Sequence, residues 1–164
     1  MEFMIPDTDS ICVSSMDKSH YRSFSKRVIK EYAHKMVGGG KWNENGSNDK
    51  SAKVFNEILP DGLKSENNYL FVIKDKECSI IGDLWLQKRG NNLHIVSIYI
   101  NETKRNTGVG TNVAVWLEKW AGENGFDSIT LYVFDANKSA KRFYTKLGFT
   151  EYDNGMRKNI KQNF

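Results

Sequence analysis

Ile98-Tyr99-Ile100-Asn101-Glu102-Thr103-Lys104-Arg105-Asn106-Thr107-Gly108-Val109-Gly110 runs from an apolar strand end, through a polar and basic turn, into two glycines spaced by one residue. Residues 109–124 then carry a helical stripe of Val109, Val113, Trp116, Leu117 and Trp120 at spacings of three and four, closed by Gly125. A strand, a glycine-bearing turn and a helix, in that order, build an anion cradle. The turn's N–H groups point one way, the helix N-terminus is partially positive, and the missing Cβ atoms let a phosphate approach. The turn lacks the Gly-Lys-Ser/Thr end of a nucleotide-hydrolysing loop and the GxGxxG order of a dinucleotide site. Taken alone it reads equally well as an ordinary tight strand–helix connection.

The neighbouring segments set its context. Residues 128–134 are β-branched and aromatic, and the helix before them makes a crossover, so this strand is expected to run parallel to residues 93–100. Upstream, residues 69–74 and 78–87 read as a hairpin around Asp75-Lys76-Glu77. The Gly90-Asn91-Asn92 turn leads on to 93–100, completing a meander. Downstream, Ala140, Phe143, Tyr144 and Leu147 mark a helix over 137–147 that stops at Gly148, and 149–152 with 156–160 close a hairpin around Asp153-Asn154-Gly155. Before the meander come a short strand at 11–15 and a helix from Asp17 on which Tyr21, Phe24, Val28 and Tyr32 share a face. Gly38-Gly39-Gly40 stops that helix. A loop holding Trp42 follows, then a helix capped by Asn48 or Asp49 that buries Ala52, Phe55, Ile58 and Leu59 and ends at Pro60-Asp61-Gly62.

The 164 residues suit a single domain, and 39% hydrophobic and 12% aromatic residues suffice for its core. The net charge of +4 is interspersed, which argues against a nucleic-acid-binding face and for a local anion site. Cys12 and Cys78 form no CxxC pair, so neither a metal site nor a disulfide framework is expected. Buried reduced thiols in a cytoplasmic protein are expected instead. Residues 1–15 carry no Lys or Arg and no apolar h-region, unlike a signal peptide, and no apolar run is long enough to span a membrane.

The order meander, Arg105-Asn106-Thr107-Gly108-Val109-Gly110, crossover helix, strand, and then Asn137-Lys138-Ser139-Ala140-Lys141-Arg142-Phe143-Tyr144-Thr145-Lys146-Leu147-Gly148-Phe149 resembles the GNAT superfamily of acyl-CoA-dependent N-acyltransferases. Arg105, Gly108 and Gly110 match the family's Q/R-x-x-G-x-G/A pyrophosphate loop. Asn137, Ala140, Tyr144, Gly148 and Phe149 match its N-x-x-A-x-x-x-Y-x-x-x-G-F segment. Glu31-Tyr32-Ala33, Trp42, Leu59-Pro60-Asp61-Gly62-Leu63 and Gly82-Asp83-Leu84-Trp85-Leu86 resemble a bacterial subgroup.

The resemblance implies an α/β (α+β) GNAT fold: a mixed, mostly antiparallel twisted sheet with a central splayed parallel strand pair and about four helices, in one domain over 1–164 with residues 68–160 as the coenzyme-binding and catalytic part. It implies an N-acetyltransferase that moves an acetyl group from acetyl-CoA to a primary amine of a small molecule or peptide, in a ternary complex. A non-catalytic coenzyme A sensor of the same fold is the alternative. No nucleic acid, membrane or metal is implied, and the protein would be a monomer or homodimer.

Under that resemblance, Lys104, Arg105, Asn106, Thr107, Gly108, Val109, Gly110 and Thr111 hold the pyrophosphate. Ile98, Tyr99 and Ile100 pair with the pantetheine arm, and a backbone N–H near Ile100 stabilises the thioester oxyanion. Asn137, Ala140, Phe143 and Tyr144 complete the cofactor site. Tyr144 is either the acid that protonates the leaving thiolate or a core aromatic beside Phe143. Asn137 either touches the arm or caps its helix. The amine loses its proton to a water relay or to His94, Tyr99, Glu44 or Tyr132. Lys141 and Arg142 either reach the phosphates or are solvated. Trp42, Trp85 and His94 are candidates to line the acceptor pocket, Trp85 reading more readily as core. The chain has Asn106-Thr107 where the family often has Gly-Lys or Gly-Arg, and no proline near Asn101-Glu102. Phosphate neutralisation is therefore expected to rest on Lys104 and Arg105.

Overall fold

The computed structural model describes residues 8–153 and 155–160. The turn residue Asn154 and residues 1–7 of the N-terminal segment read for a leader lie outside them. The elements are β1 (Ile11–Ser15), α1 (Lys18–Gly38), α2 (Ser47–Ile58), β2 (Asn68–Asp75), β3 (Ile80–Arg89), β4 (Asn92–Ile100), α3 (Val109–Glu123), β5 (Ser128–Tyr132), α4 (Lys138–Lys146), β6 (Thr150–Tyr152) and β7 (Gly155–Asn159). The strands form one seven-stranded sheet in the order β1-β2-β3-β4-β5-β7-β6. β3–β4, β5–β7 and β6–β7 pair antiparallel, while β4–β5 are parallel, as the crossover predicted. Among the described residues no helix is long and apolar enough to cross a membrane.

Backbone proximity divides the chain into two compact units: Ser15–Leu70, and the described residues up to Ser14 together with those from Phe71 onward. In the first unit, the Asp17 carboxylate caps α1 by accepting from the His20 N–H at 2.8 Å. The glycine run ends α1, with Gly39 donating back to the Lys35 carbonyl at 2.9 Å. α2 starts earlier than Asn48 or Asp49 would place it. Its cap is Gly46, at φ 75°, with no side-chain cap bond. Ser47 and Ser51 are buried, and Ser51 Oγ donates to the Ile29 carbonyl at 2.6 Å, so α2 begins where a polar contact to α1 holds it. Rings of Tyr21, Phe24 and Phe55 pack 6.0–6.3 Å apart in this core.

In the second unit β3 is buried from Ile81 through Leu86, on both faces, so it is central rather than amphipathic. Leu84, Leu86, Leu93, Ile129, Val113 and Leu117 are at most 2% exposed and form the core between sheet and α3. Trp116 and Trp120 sit half-buried on α3 against Phe71. β3 opens at Ile80 because Cys78, at φ 62°, belongs to the preceding turn. There the Asp75 carboxylate accepts from the Glu77 and Ser79 N–H groups, both at 3.0 Å. Both cysteines are exposed, which corrects the expectation of buried thiols: Cys12 lies on edge strand β1 and Cys78 in this turn.

Two departures from regular pairing bear on function. The β3–β4 register shifts between Trp85 and Leu86: Trp85 pairs with Ser97 but Leu86 with Ile95, leaving Val96 as an extra residue, a β-bulge. The parallel β4–β5 ladder covers only Asn92–Ile95 against Ser128–Leu131. β5 ends at Tyr132, short of the expected Phe134, whereas β4 continues to Ile100.

Candidate functional site

The second half of β4 therefore has an edge that β5 does not cover. Asn101 donates its N–H to the Ile81 carbonyl at 2.8 Å, toward β3. Successive backbone groups of a strand point to alternate edges. The N–H and C=O of Ile100, and by the same count those of Ile98, thus face the open edge. The Tyr99 carbonyl faces β3 instead, where it lies over Gly82. Arg105 reaches back along the open edge: its Nε donates to the Ile100 carbonyl at 2.9 Å, and its guanidinium carbon lies 5.7 Å from the Tyr99 ring centroid.

The glycine turn begins where β4 ends. Asn106 at φ 60° and Gly108 at φ 86° are left-handed, which turns the chain sharply into α3. Thr107 Oγ1 donates to the Lys104 carbonyl at 2.5 Å and tightens the turn. Gly108 caps α3 without a side chain, and Asn112 is the first residue of the helix to donate back, to the Gly108 carbonyl at 3.1 Å. Among the described residues no backbone carbonyl accepts from the N–H groups of Asn106, Thr107, Val109, Gly110 or Thr111, the state in which a helix N-terminus takes an anion. Space at Gly110 is tight: a Cβ there would sit 3.3 Å from Phe143 Cζ on α4, so the ring would have to give slightly. The two basic side chains are partly committed. Arg105 holds Ile100, and Lys104 Nζ lies 3.9 Å from the Asp75 carboxylate.

Beneath the open edge lies a cavity of about 80 Å³, lined among others by Ile95, Ile98, Ile129, Phe143 and Tyr144. Tyr144 meets Phe143 and Phe149 edge-on at 5.1 and 5.4 Å, and burial pushes its phenol up to about 12. At the cavity's other end Lys158 Nζ donates to Glu118 Oε2 at 2.5 Å and to the Leu147 carbonyl at 2.6 Å, tying β7, α3 and α4 together. Asn137 takes the capping role, its Oδ1 accepting from the Ala140 N–H at 3.1 Å. Ala140 sits half-buried behind it on α4. Lys141 is held by Asp135 and Glu151 at 3.0 and 3.5 Å, while Arg142 is exposed.

The remaining candidates are dispersed. Trp85 is 2% exposed, within β3. Trp42 belongs to the Ser15–Leu70 unit, edge-on to Tyr32 at 5.6 Å, with Lys50 Nζ 5.9 Å from its ring. Regular alternation would give His94 the face of Val96, Ile98 and Ile100. The bulge overturns that: Ile95 and Ile98 both line the cavity, so His94 points the other way. There its Nδ1 lies 3.0 Å from Thr130 Oγ1 and its ring 5.1 Å from Tyr132. Glu118, Lys158 and Arg157 were missed by sequence reasoning. Glu118 and Lys158 meet across 40 residues and Arg157 meets Tyr152 across the closing hairpin, and the only sequence sign was a last strand reading Met156-Arg157-Lys158, charged on both faces.

Burial first, and the Arg89 charge second, lower His94 from 6.5 to about 4. The unfolded chain takes up a proton near 6.5 that the folded chain refuses until about 4, so stability falls as pH drops through this window and levels off below it. The full loss is at most about 3 kcal/mol, reduced by whatever solvent screening reaches the ring. Urea unfolding at a series of pH values across the window should show that slope in the wild type and its absence in His94→Gln.

The comparisons bear on this geometry. The family model described as acetyltransferase (GNAT) family matches residues 29–149. An uncharacterized N-acetyltransferase of Bacillus subtilis, YycN, is 28% identical over 155 residues, 92% of this chain and 99% of its own. Its crystal structure superposes with a TM-score of 0.82 over 88% of this chain and 94% of that one. A second uncharacterized B. subtilis N-acetyltransferase, YdgE, is 26% identical over 90% of this chain and 97% of its own. Spermidine N-acetyltransferase from Vibrio cholerae, solved with CoA and spermine, shares the fold at 13% identity and a TM-score of 0.68, covering 93% of this chain and 96% of that one.

Proposed function

The chain belongs to the acetyltransferase (GNAT) family, and from that premise we propose that it transfers an acetyl group from acetyl-CoA to a primary amine of a small molecule or peptide, by direct attack within a ternary complex. One observation carries the reading: the parallel ladder stops at Ile95 and Leu131 while β4 runs on to Ile100, beside the turn whose N–H groups are free of backbone acceptors. An open strand edge and an anion cradle at one end of the sheet match a ligand that is a diphosphate at one end and an amide chain at the other. The V. cholerae relative of this fold was solved with CoA.

The residues then divide the work. Asn106–Thr111 supply N–H donors to the pyrophosphate, and Arg105 adds charge at the turn. The edge groups of Ile98 and Ile100 pair with the arm's amides, for which Arg105 must release the Ile100 carbonyl. The Ile100 N–H receives the oxyanion. Acetyl-CoA supplies an acetyl carbon activated by a thiol leaving group. Tyr144 Oη gives its proton to the departing sulfur. The cavity disfavours a thiolate for the same reason that it disfavours the phenolate, which keeps proton transfer between them balanced. Because Tyr144 occupies one face of the slot, the amine approaches from the other. His94 on that face is neutral and too weak a base at about 4 to accept a proton from an alkylammonium, so deprotonation runs through water. The reading places the enzyme in the cytoplasm, where acetyl-CoA is available.

The test is incubation with acetyl-CoA and a panel of polyamines, aminoglycosides, amino acids and peptides, followed by mass spectrometry for the gain of one acetyl group and by titration of released thiol. Binding of coenzyme A without acetylation of any panel member would instead support a sensor. A second expected outcome concerns the cradle. Gly110→Leu drives a branched side chain into Phe143 and the phosphate space, and should raise the KM for acetyl-CoA by about 10-fold or more, with the fold monitored by circular dichroism.

A further inference from the structure

Gln87, His94, Thr130, Arg157 and Thr150 are successive Cα partners across β3, β4, β5, β7 and β6. Cα partners project to one face of a sheet, so the five form a single polar row. Its face is the one away from the cavity: Ile95, Ile129 and Lys158 line the cavity, and the row contains their neighbours His94, Thr130 and Arg157. This is the side from which the amine reaches the slot in the reading above.

One group in the row is unsatisfied. Arg157 Nε is buried and has no hydrogen-bond partner among the described residues. Its guanidinium carbon lies 3.8 Å from the Tyr152 ring centroid, a stacked arrangement that fixes the plane of the fork but accepts none of its in-plane protons. The neighbouring Thr130 hydroxyl is engaged with His94. A buried donor with no acceptor costs about 1–3 kcal/mol, and native structures hold few of them. Nε itself is covered, but the face beside it reaches solvent: Tyr132 and Tyr152 are 67% and 49% exposed. Gly155, the Cα partner of Tyr132, adds no side chain between them, and a Cβ there would strike the Leu131 carbonyl at 2.5 Å.

We propose that Arg157 is a specificity-determining residue that receives a carboxylate of the amine acceptor, so that the enzyme prefers amino acids or short peptides to polyamines. The inference rests on the acetyl-transfer reading and names its substrate class. A planar guanidinium pairs with a carboxylate through two parallel N–H···O bonds, which a stacked ring already orients. The row around it, with Gln87, neutral His94 and two threonines, presents no carboxylate, and Arg157 repels a polycation; Asp83, on the same face of β3, is buried and engaged. Arg157 lies one strand spacing from β5 and two residues back from the end of that strand, roughly 5 and 7 Å respectively. That is a span of a few covalent bonds between amine and carboxylate.

The experiment uses the full chain. Coenzyme A binding is first verified by calorimetry, and its failure would remove the acetyl-transfer reading itself. The coenzyme-bound protein is then given matched pairs that differ only in the carboxylate: lysine and cadaverine, tyrosine and tyramine, alanyl-alanine and its amide. Melting temperature and, where turnover occurs, KM and kcat are recorded for wild type, Arg157→Gln and Arg157→Lys. The expected result is a thermal shift and a KM at least about 10-fold lower for the carboxylated member of at least one pair. That preference is lost in Arg157→Gln through KM rather than kcat, and is partly retained in Arg157→Lys, which keeps the charge without the fork. Equal responses within every pair, no response to any carboxylated amine, or a preference unchanged in both variants would each overturn it.

Discussion

Tyr144→Phe is expected to lower kcat by about 10²–10⁴-fold, the range for loss of a positioned acid, while coenzyme A binding stays nearly unchanged. The substitution removes one oxygen and keeps the ring that packs edge-on against Phe143 and Phe149, so structural loss is minimal. The pH dependence separates an acid from a mere packing ring. Burial pushes this phenol up to about 12, so the wild type keeps its proton throughout the working range. The deficit of the variant should accordingly stay flat from neutrality to beyond about pH 10, where an ordinary tyrosine would begin to ionise. Steady-state rates of both proteins across that range, with a saturating amine, give the comparison. A variant with unaltered kcat would assign the proton to another donor.

Gly82→Val is expected to be the most damaging single substitution to the fold of the site, costing about 4 kcal/mol or more. A Cβ at Gly82 would lie 2.1 Å from the Tyr99 carbonyl oxygen and 3.3 Å from the Ile100 Cα. Both obstacles are backbone, and no rotamer relieves them. The pair Gly82–Ile100 closes the β3–β4 ladder, so the strands must part where β4 presents its open edge. Chemical denaturation should show a lower midpoint. Coenzyme A affinity should fall even at temperatures where the variant is folded, because Ile98 and Ile100 lose their alignment. A stability close to wild type would mean that β3 and β4 separate easily here.

Much of this architecture was legible before any coordinates. The Gly38-Gly39-Gly40 stop, the crossover forcing β5 parallel to β4, and the two glycines opening α3 all follow from local chemistry: entropy, handedness and the space a missing Cβ leaves. What stayed hidden depends on contacts between distant residues. Nothing in Val96-Ser97-Ile98 marks a bulge, because each residue suits a strand, and only the pairing with Trp85 and Leu86 reveals the extra one. The early start of α2 follows from Ser51 reaching Ile29, twenty-two positions away. The thiols were expected inside on the residue's average habit, whereas an edge strand and a turn with φ 62° put them outside. In the site, the glycine turn and Tyr144 were marked by motif. Arg157 was not, since its isolation shows only once the strands are aligned.

The bulge at Val96 also says which changes this lineage can tolerate. Upstream of it, odd-numbered β4 residues such as Ile95 face the cavity; downstream, even-numbered ones such as Ile98 do. The bulge is what reconciles the two halves. With the same count of residues but regular pairing, everything after Ile95 would exchange sides, turning Tyr99 toward the cavity and Ile98 away from it. Deleting Val96 would instead straighten the strand and leave Ile98 where it is. The strand behaves as a reading frame with one silent letter, and we expect relatives either to keep that letter with its bulge or to drop both together.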